Sequence, residues 1–307
     1  MKIDLHVHTD ASDGRDSIET VMRDAKAAGL DVMALTDHDN MVNWEPASVL
    51  AHELGLGLIP GMEMTTRTHT RFETDKDGNP RKFGSHLLSY LHDPNNAELL
   101  KVLEISREGR ITRLMAITDL VNSRWPVDWH EVLEHASNAF TLGRPSLADA
   151  LVKRYPDEFP NRGAVFDVVW KDNSGFYVPN RTVPDTIDAI EMIRNAGGVP
   201  ILAHPMSRAS KFRRPGDPLP IREFEGMVEA GLAGFEVYHR EIEKVDREAL
   251  EAFAKKHDLI ITGSSDYHGR EGKENRLGEN TTSPEMLKRI LDQATGYRPV
   301  NLPAALV

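Results

Sequence analysis

Apolar and polar positions along this chain follow two periods, two residues and three to four residues, and the segments carrying them alternate. Ile3, Leu5 and Val7 alternate with polar neighbours, which predicts a strand over residues 2–8 with His6 and His8 projecting from one face. Short apolar runs predict further strands at 31–35, 56–62, 84–91, 198–203, 233–238 and 259–263. Between them lie helical patterns. Asp16 with Glu19 has the form of a capping box opening a helix through Ala28, with Gly29 as its stop. A second helix follows Asn40 and ends near Gly55, and another opens at Pro184 and runs through Ala196. Residues 64–83 are polar and contain the hairpin signal Asp77-Gly78, so a β excursion is expected there.

From Pro94 the character changes. Residues 95–123 read as one long charged helix, and shorter helical pieces follow to about residue 155, with breaks at Pro126, Pro145, Pro156 and Pro160. No barrel-type strand appears in that stretch. The expected fold class is α/β: a distorted seven-stranded (β/α)7 TIM-like barrel formed by residues 1–94 and 183–307, with residues 95–182 as a helical insertion capping it.

Chemistry collects where the apolar runs end. Val32-Met33-Ala34-Leu35 leads into Thr36-Asp37-His38-Asp39, and Leu58-Ile59-Pro60 into Gly61-Met62-Glu63. Phe83-Gly84-Ser85 leads to His86, Ile201-Leu202-Ala203 to His204, and Ile260-Ile261-Thr262 to Asp266 and His268. Imidazoles and carboxylates just past buried strands are what a barrel with its site on the C-terminal face predicts. His6 and His8 can grip one ion, as can Asp266 and His268, which share their spacing.

Composition narrows the metal and the partners. The chain has 307 residues, 40% hydrophobic, with no apolar run long enough to span a membrane. It contains no cysteine, so disulfides and thiolate sites are excluded and any metal sits among N and O ligands. The first strand begins within two residues of Met1, which leaves no room for a signal peptide; the expected compartment is the cytoplasm. A net charge of −11 argues against binding long duplex nucleic acid. It does not argue against a small phosphorylated ligand, because bound divalent cations reverse the local field. The expected state is a monomer or small homo-oligomer.

In order along the chain, HxHT with a following Ser12-Asp13-Gly14, Thr36 to Asp39, Gly61 to Glu63, a mid-chain His, Ala203 to Pro205 and Ser265 to His268 resemble the PHP (polymerase and histidinol phosphatase) metallo-phosphoesterases. Leu142 to Val152 and Tyr177 to Pro179 further resemble its stand-alone bacterial branch, which includes nucleoside 3′,5′-bisphosphate phosphatases and 5′-to-3′ exoribonucleases. The resemblance implies the seven-stranded PHP barrel and two to three divalent ions (Mn, Fe or Zn). It implies His6, His8, Glu63 and Asp266 for one ion, Glu63 with His86 and His204 for a second, and Asp13, His38 and His268 for a third. Asp13 stands where many members carry His and favours Mn or Fe as the harder ligand. His69 and His92 compete with His86. Asp37 and Asp39 are read as supporting or helix-capping residues, and His52, His130, His135 and His257 as solvated.

For phosphate recognition the candidates are Arg144 and Ser146 at a helix start, the helix face bearing Arg107, Arg110 and Arg113, and the basic loop with Arg208, Lys211, Arg213 and Arg214. Members usually carry His where Ser146 stands, and often another His where this chain has Ile242. A charged helix face or loop is otherwise simply solvated. The activity expected is hydrolysis of a phosphate monoester of a nucleotide-like substrate by metal-activated water, with Asp266 at the metals and His239 or His204 as the acid. The alternatives are a 5′-to-3′ exonuclease on short 5′-phosphorylated RNA or DNA, a histidinol-phosphate phosphatase, and a metal-stabilised scaffold without activity.

Overall fold

In the computed structural model, which describes residues 1–74, 78, 80–136, 142–171, 174–206 and 221–306, seven strands join one sheet in chain order. They are β1 (Ile3–Asp4), β2 (Val32–Leu35), β3 (Gly57–Thr74), β4 (Pro80–Tyr90), β5 (Val199–Leu202), β6 (Gly234–Tyr238) and β7 (Ile260–Gly263). Neighbours pair in parallel except β4, which runs antiparallel to both β3 and β5. A hairpin therefore replaces one β–α–β unit, as the polar stretch 64–83 foreshadowed. Gly78 at its tip has φ +81°, as a tight turn requires, while Asp77 lies outside the described residues.

The sheet curls until its ends meet. Val7 and Tyr267, just past β1 and β7, form a parallel bridge. Asp4 completes the seam, its carboxylate accepting from the backbone N–H of Ser265 (3.0 Å) and of Gly278 (2.7 Å). The first strand is shorter than its alternation suggests. Its ladder covers only Ile3–Asp4, because beyond it the backbone turns to pair with the Tyr267 segment.

Helices cover the barrel. α1 (Ile18–Ala27) and α2 (Trp44–Leu54) follow the first two strands. The cap of α1 is Ser17, which accepts from Thr20 N–H, rather than Asp16. Asp16 instead accepts from the backbone N–H of Arg270 (2.9 Å), tying this loop to the one after β7. α3 (Ala97–Val121), α4 (Trp129–Glu134), α5 (Arg144–Arg154) and α6 (Arg162–Val169) then follow, with no strand among the described residues between them. Asp185 caps α7 (Thr186–Asn195), and α8 (Ile221–Glu229), α9 (Lys244–Lys256) and α10 (Pro284–Gln293) complete the outer layer.

The α3–α6 segment has its own core. Leu114, Ile117 and Val121 of α3 pack with Trp125, Leu147, Leu151, Phe159 and Val165 in a cluster separate from those of the barrel. At its other end α3 buries Leu99 and Leu103 in a barrel cluster, so this one helix belongs to both bodies. Trp125 and Phe159 meet edge-on, with ring centroids 5.1 Å apart. Phe159→Ala removes a fully buried ring and is expected to cost about 3–5 kcal/mol. Urea unfolding followed by tryptophan fluorescence checks this; barrel metal content, by elemental analysis, should not change.

Candidate metal centre

The strand ends deliver a shell of imidazoles and carboxylates around Glu63. Glu63 lies on β3, where its N–H bonds the carbonyls of Thr36 and Asp37 at the end of β2. His86 lies almost opposite on β4, which pairs with β3. The carboxylate is 1% exposed and its two oxygens face different groups. Oε2 is 3.1 Å from both His6 Nε2 and His8 Nε2, and 3.3 Å from His38 Nδ1. Oε1 is 2.8 Å from His86 Nδ1 and 3.0 Å from His204 Nε2.

Asp266 Oδ1 closes the first group, 3.4 Å from His6 Nε2 and 3.3 Å from His8 Nε2. The third group centres on Asp13 Oδ1, with His268 Nε2 at 3.1 Å and His38 Nε2 at 3.8 Å. Every residue expected as a metal ligand is thus in this shell, and His86 rather than His69 or His92 reaches it. His69 pairs with Asp185, and His92 is buried between Ser89 and Met41.

The hydrogen bonds dictate which nitrogens carry protons. His6 Nδ1 is 3.0 Å from Glu236 Oε1 and donates to it, leaving Nε2 as a bare lone pair when the ring is neutral. His8 Nδ1 faces Ser12 Oγ, whose own proton goes to Asp37 Oδ1, so His8 Nε2 is bare as well. His268 Nδ1 donates to the Asp266 carbonyl, which bares its Nε2. The Nε2 atoms of His6 and His8 are only 3.0 Å apart. Two lone pairs and two carboxylate oxygens at such separations repel one another unless a cation sits among them. The edge of a tetrahedron of ligands about 2.0–2.1 Å from an ion is roughly 3.4 Å, close to these distances. Asp13 Oδ1, His38 Nδ1 and His268 Nε2 are buried without a hydrogen-bond partner. The donor set fits divalent ions.

Electrostatics agree. Burial alone would raise the Glu63 carboxyl, but the His38, His6 and His86 imidazoles hold it well below the carboxylate range. Burial opposes charge on Asp13 too, and His268 and His38 overcome it. Without a metal, His8 takes up part of the missing positive charge. Burial disfavours its proton, yet hydrogen bonds to Asp266 and Glu63 push it up to about 9.

Three members of the shell are strained or supported from behind. His204 and Asp266 have φ of +28° and +53°, a left-handed backbone that non-glycine residues adopt at a cost of about 1–3 kcal/mol. Glu236, at 0% exposure in the middle of β6, holds His6 Nδ1–H with one oxygen and the His204 backbone N–H (2.8 Å) with the other. Its signal in the sequence was a lone acid among Gly234, Phe235, Val237 and Tyr238. Lys273 Nζ, 2.7 Å from Asp266 Oδ2, also escaped the sequence reading.

Around this shell, Asp37 binds Thr9 N–H, Thr9 Oγ1 and Ser12 Oγ, so it shapes the loop bearing Asp13. Asp39 accepts from Thr65 and from Arg110 Nη1 (3.1 Å). Neither caps a helix. His239 is buried; its Nδ1 accepts from Glu241 N–H, so its Nε2–H points toward Asp266 Oδ2 at 3.6 Å. That nitrogen is buried without a hydrogen-bond partner, beside the shell rather than in it. Of the four histidines expected to be solvated, His52 and His130 are exposed, whereas His135 is half-buried and His257 stacks on Phe253.

A cleft opens from Asp13, His38 and His86 toward the α3–α6 segment. Its far wall carries Arg110, Arg113 and Arg144, with Leu114, Ile117 and Leu142 beside them. Arg107 is absent from this wall and bonds Glu104 on its own helix. Ser146 is buried, its hydroxyl accepting from Gly143 N–H at the start of α5, so it closes a helix end instead of facing substrate. Arg208 and its basic neighbours lie outside the described residues.

The chain is similar to known proteins. A family model described as PHP domain matches residues 4–158. A phosphoribosyl 1,2-cyclic phosphate 1,2-diphosphodiesterase of Eggerthella lenta is 28% identical over 279 residues, 90% of this chain and 97% of that protein. A 5′-3′ exoribonuclease of Haemophilus influenzae is 29% identical over 279 residues, 87% of this chain and 90% of that one. A crystal structure from Bifidobacterium adolescentis, assigned as a metal-dependent phosphoesterase, superposes with a TM-score of 0.83 at 32% identity, covering 95% of this chain and 96% of that one.

Glu236→Gln keeps the shape and discards the charge behind His6. Metal affinity, measured by competition with a chelator, is expected to fall roughly 10- to 100-fold with the thermal transition of the metal-free protein little changed.

Proposed function

Since the chain belongs to the PHP domain family, and is thereby a metal-dependent phosphoric ester hydrolase, we propose that it hydrolyses a phosphate ester of a small nucleotide-like substrate that carries a second phosphate. The observation behind this reading is the pair of arginines facing the metal centre. Among the described residues neither Arg113 nor Arg144 has a carboxylate within ion-pair distance, and both line the cleft. Burial and the neighbouring Arg144 charge push Arg113 down to about 10. Two unneutralised guanidiniums beside one another, in a chain of net charge −11, are a preformed anion site.

The residues divide the work. His6, His8, Glu63 and Asp266 would hold one ion, Glu63 with His86 and His204 a second, and Asp13, His38 and His268 a third, with Mn, Fe or Zn suiting these ligands. Such ions, when bound, supply Lewis acidity toward the phosphoryl oxygens and a water of lowered pKa. Glu236 and Lys273 hold the ligands in place. Arg144 and Arg113 bind the phosphate that does not react, and Leu114, Ile117 and Leu142 offer an apolar wall to a sugar or base. The α3–α6 segment thus acts as substrate cap. Arg113 Nε is held by the Val178 carbonyl (2.6 Å), which leaves its two terminal nitrogens for the ligand.

The substrate named for the Eggerthella relative carries a phosphoribosyl group and a cyclic phosphate, hence two phosphates, which supports the two-phosphate reading. The Haemophilus relative favours a second one, removal of nucleotides from short 5′-phosphorylated chains. Purified protein never exposed to chelator is expected to hold two to three transition-metal equivalents by elemental analysis; less than one equivalent would sink the multinuclear reading. Phosphate release from nucleoside 3′,5′-bisphosphates, compared with nucleotide release from 5′-phosphorylated oligomers and with Mn restored after chelation, separates the two substrate readings.

Arg144→Ala should cut kcat/KM on a bisphosphate by about ten- to a few-hundredfold, the equivalent of losing a charge-assisted bond of roughly 1.5–3 kcal/mol. p-Nitrophenyl phosphate, which has no second phosphate, should be nearly unaffected. Equal losses on both substrates would place Arg144 at the reacting phosphoryl group instead.

A further inference from the structure

Asp149, inside the Leu142–Val152 motif, has no part in the chemistry described so far, yet its carboxylate is bridged by two arginines, one from each side. On one side it accepts both Arg15 terminal nitrogens at 3.1 Å each, and on the other Arg162 Nε and Nη2 at 2.5 Å each. Its side chain is 13% exposed. Arg162 opens α6, within the same body. Arg15 belongs to the barrel, two residues past Asp13.

The barrel end of this bridge is rigid by itself. Arg15 N–H bonds the His268 carbonyl (2.9 Å) and Gly14 N–H bonds the Thr9 carbonyl (3.0 Å), so the loop bearing Asp13 is fixed by backbone bonds. Gly14 lies so close to Thr9 that a Cβ there would sit 2.8 Å from the Thr9 carbonyl carbon and oxygen. The other end is α5, a helix that begins at Arg144 and carries Asp149 five residues on. α5 buries Leu147, Ala148 and Leu151 in the core of the α3–α6 segment and contributes to no barrel cluster. Apolar packing therefore ties α5 to the barrel indirectly, through α3, which lies in both cores. The direct tie to the metal rim is the ion pair, with one counterpart on α3, where Arg110 binds Asp39 beside His38.

The geometry points to Asp149 as a positioning residue: by clasping Arg15 it sets the span between the metal-site carboxylates and Arg144, and so selects substrates whose second phosphate lies at that span. This rests on the reading of Arg144 as the clamp for the non-reacting phosphate. A helix is stiff, so a shift of Asp149 against Arg15 carries the start of α5 with it. Placement errors near 1 Å are enough to lower rates by up to about a hundredfold.

The two halves of the bridge can be cut separately. Arg15→Gln severs α5 from the barrel; Arg162→Gln severs only α5 from α6. Steady-state kinetics on a nucleoside 3′,5′-bisphosphate and on p-nitrophenyl phosphate are compared for both variants, for Asp149→Asn and for Arg144→Ala. Arg15→Gln and Asp149→Asn should raise KM for the bisphosphate about tenfold with kcat nearly unchanged. They should leave p-nitrophenyl phosphate hydrolysis and metal content at the wild-type level, and Arg162→Gln should leave the bisphosphate KM in place. In the Arg144→Ala background, Arg15→Gln should add nothing further. If Arg144→Ala loses bisphosphate activity but Arg15→Gln does not, the positioning role is overturned while the clamp stands. Equal losses on both substrates for Arg15→Gln, or the same KM rise from Arg162→Gln, would mark a merely structural bridge and overturn it too. If Arg144→Ala itself is silent, the clamp reading fails first and this inference falls with it.

Discussion

Glu63 is the constraint around which the rest of the molecule is arranged. A carboxylate this buried, held ionised by the rings around it, is tolerable only where positive charge meets both of its oxygens. Oε2 looks toward His6, His8 and His38, and Oε1 toward His86 and His204. These residues come from β3, β4 and the ends of β1, β2 and β5, so the carboxylate ties together strands far apart in sequence. Divalent ions answer its charge better than imidazolium protons do, because the facing Nε2 atoms of His6 and His8 leave no room for a proton on each. The fold then reads as a device for holding imidazoles in the orientation a metal needs: Glu236 behind His6, Ser12 behind His8, the Asp266 carbonyl behind His268.

That arrangement explains where the backbone departs from ideal geometry. His204 and Asp266 take left-handed conformations at the points where the chain leaves β5 and the β7 region, and Asp39 does so beside His38. Each turns its side chain, or its neighbour's, inward instead of letting the chain continue outward. The cost is met by bonds made only in that conformation, such as the His204 N–H to Glu236 and the Thr65 N–H to Asp39. The antiparallel β4 serves the same end. The hairpin sets His86 on the strand beside Glu63.

Most metal-facing residues were legible in the sequence because they stand in or just past short apolar runs, where strand geometry and chemistry announce themselves together, whereas Asp13, in a polar loop, was legible through the resemblance to the PHP family. Strand positions were legible for the same reason. What escaped was whatever depends on a partner distant in sequence. Glu236 sits mid-strand and looks like an anomaly until His6 is placed across the barrel from it. Asp149 reads as one more polar position on a helix until Arg15 arrives from the first loop. Arg107, Arg110 and Arg113 follow one another at equal intervals, yet Arg107 turns to Glu104 and Arg110 to Asp39, while Arg113 reaches the cleft with its terminal nitrogens open. Periodicity tells which face of a helix a residue shares, but not which neighbour that face meets. Ser146 shows the same limit in reverse, since a hydroxyl at a helix start serves the helix before it serves a ligand.

The charge distribution bears on which substrates such a site can admit. The chain is acidic overall, and Asp13, His38 and His86 line the barrel side of the cleft, while the α3–α6 segment presents Arg113 and Arg144 to them. At physiological ionic strength charges act over about 8 Å. A small anion inside the cleft therefore responds to the two guanidiniums and to whatever cations Glu63, Asp13 and Asp266 hold, not to the net charge of the whole molecule. A long polyanion lies across the outer surface as well and meets its acidic residues along its length. The acidic outer surface thus opposes a long polyanion, whereas the field inside the cleft attracts a small anion. The two are compatible because the ion pairs Arg15–Asp149 and Arg110–Asp39 neutralise Arg15 and Arg110, whereas among the described residues Arg113 and Arg144 have no ion-pair partner.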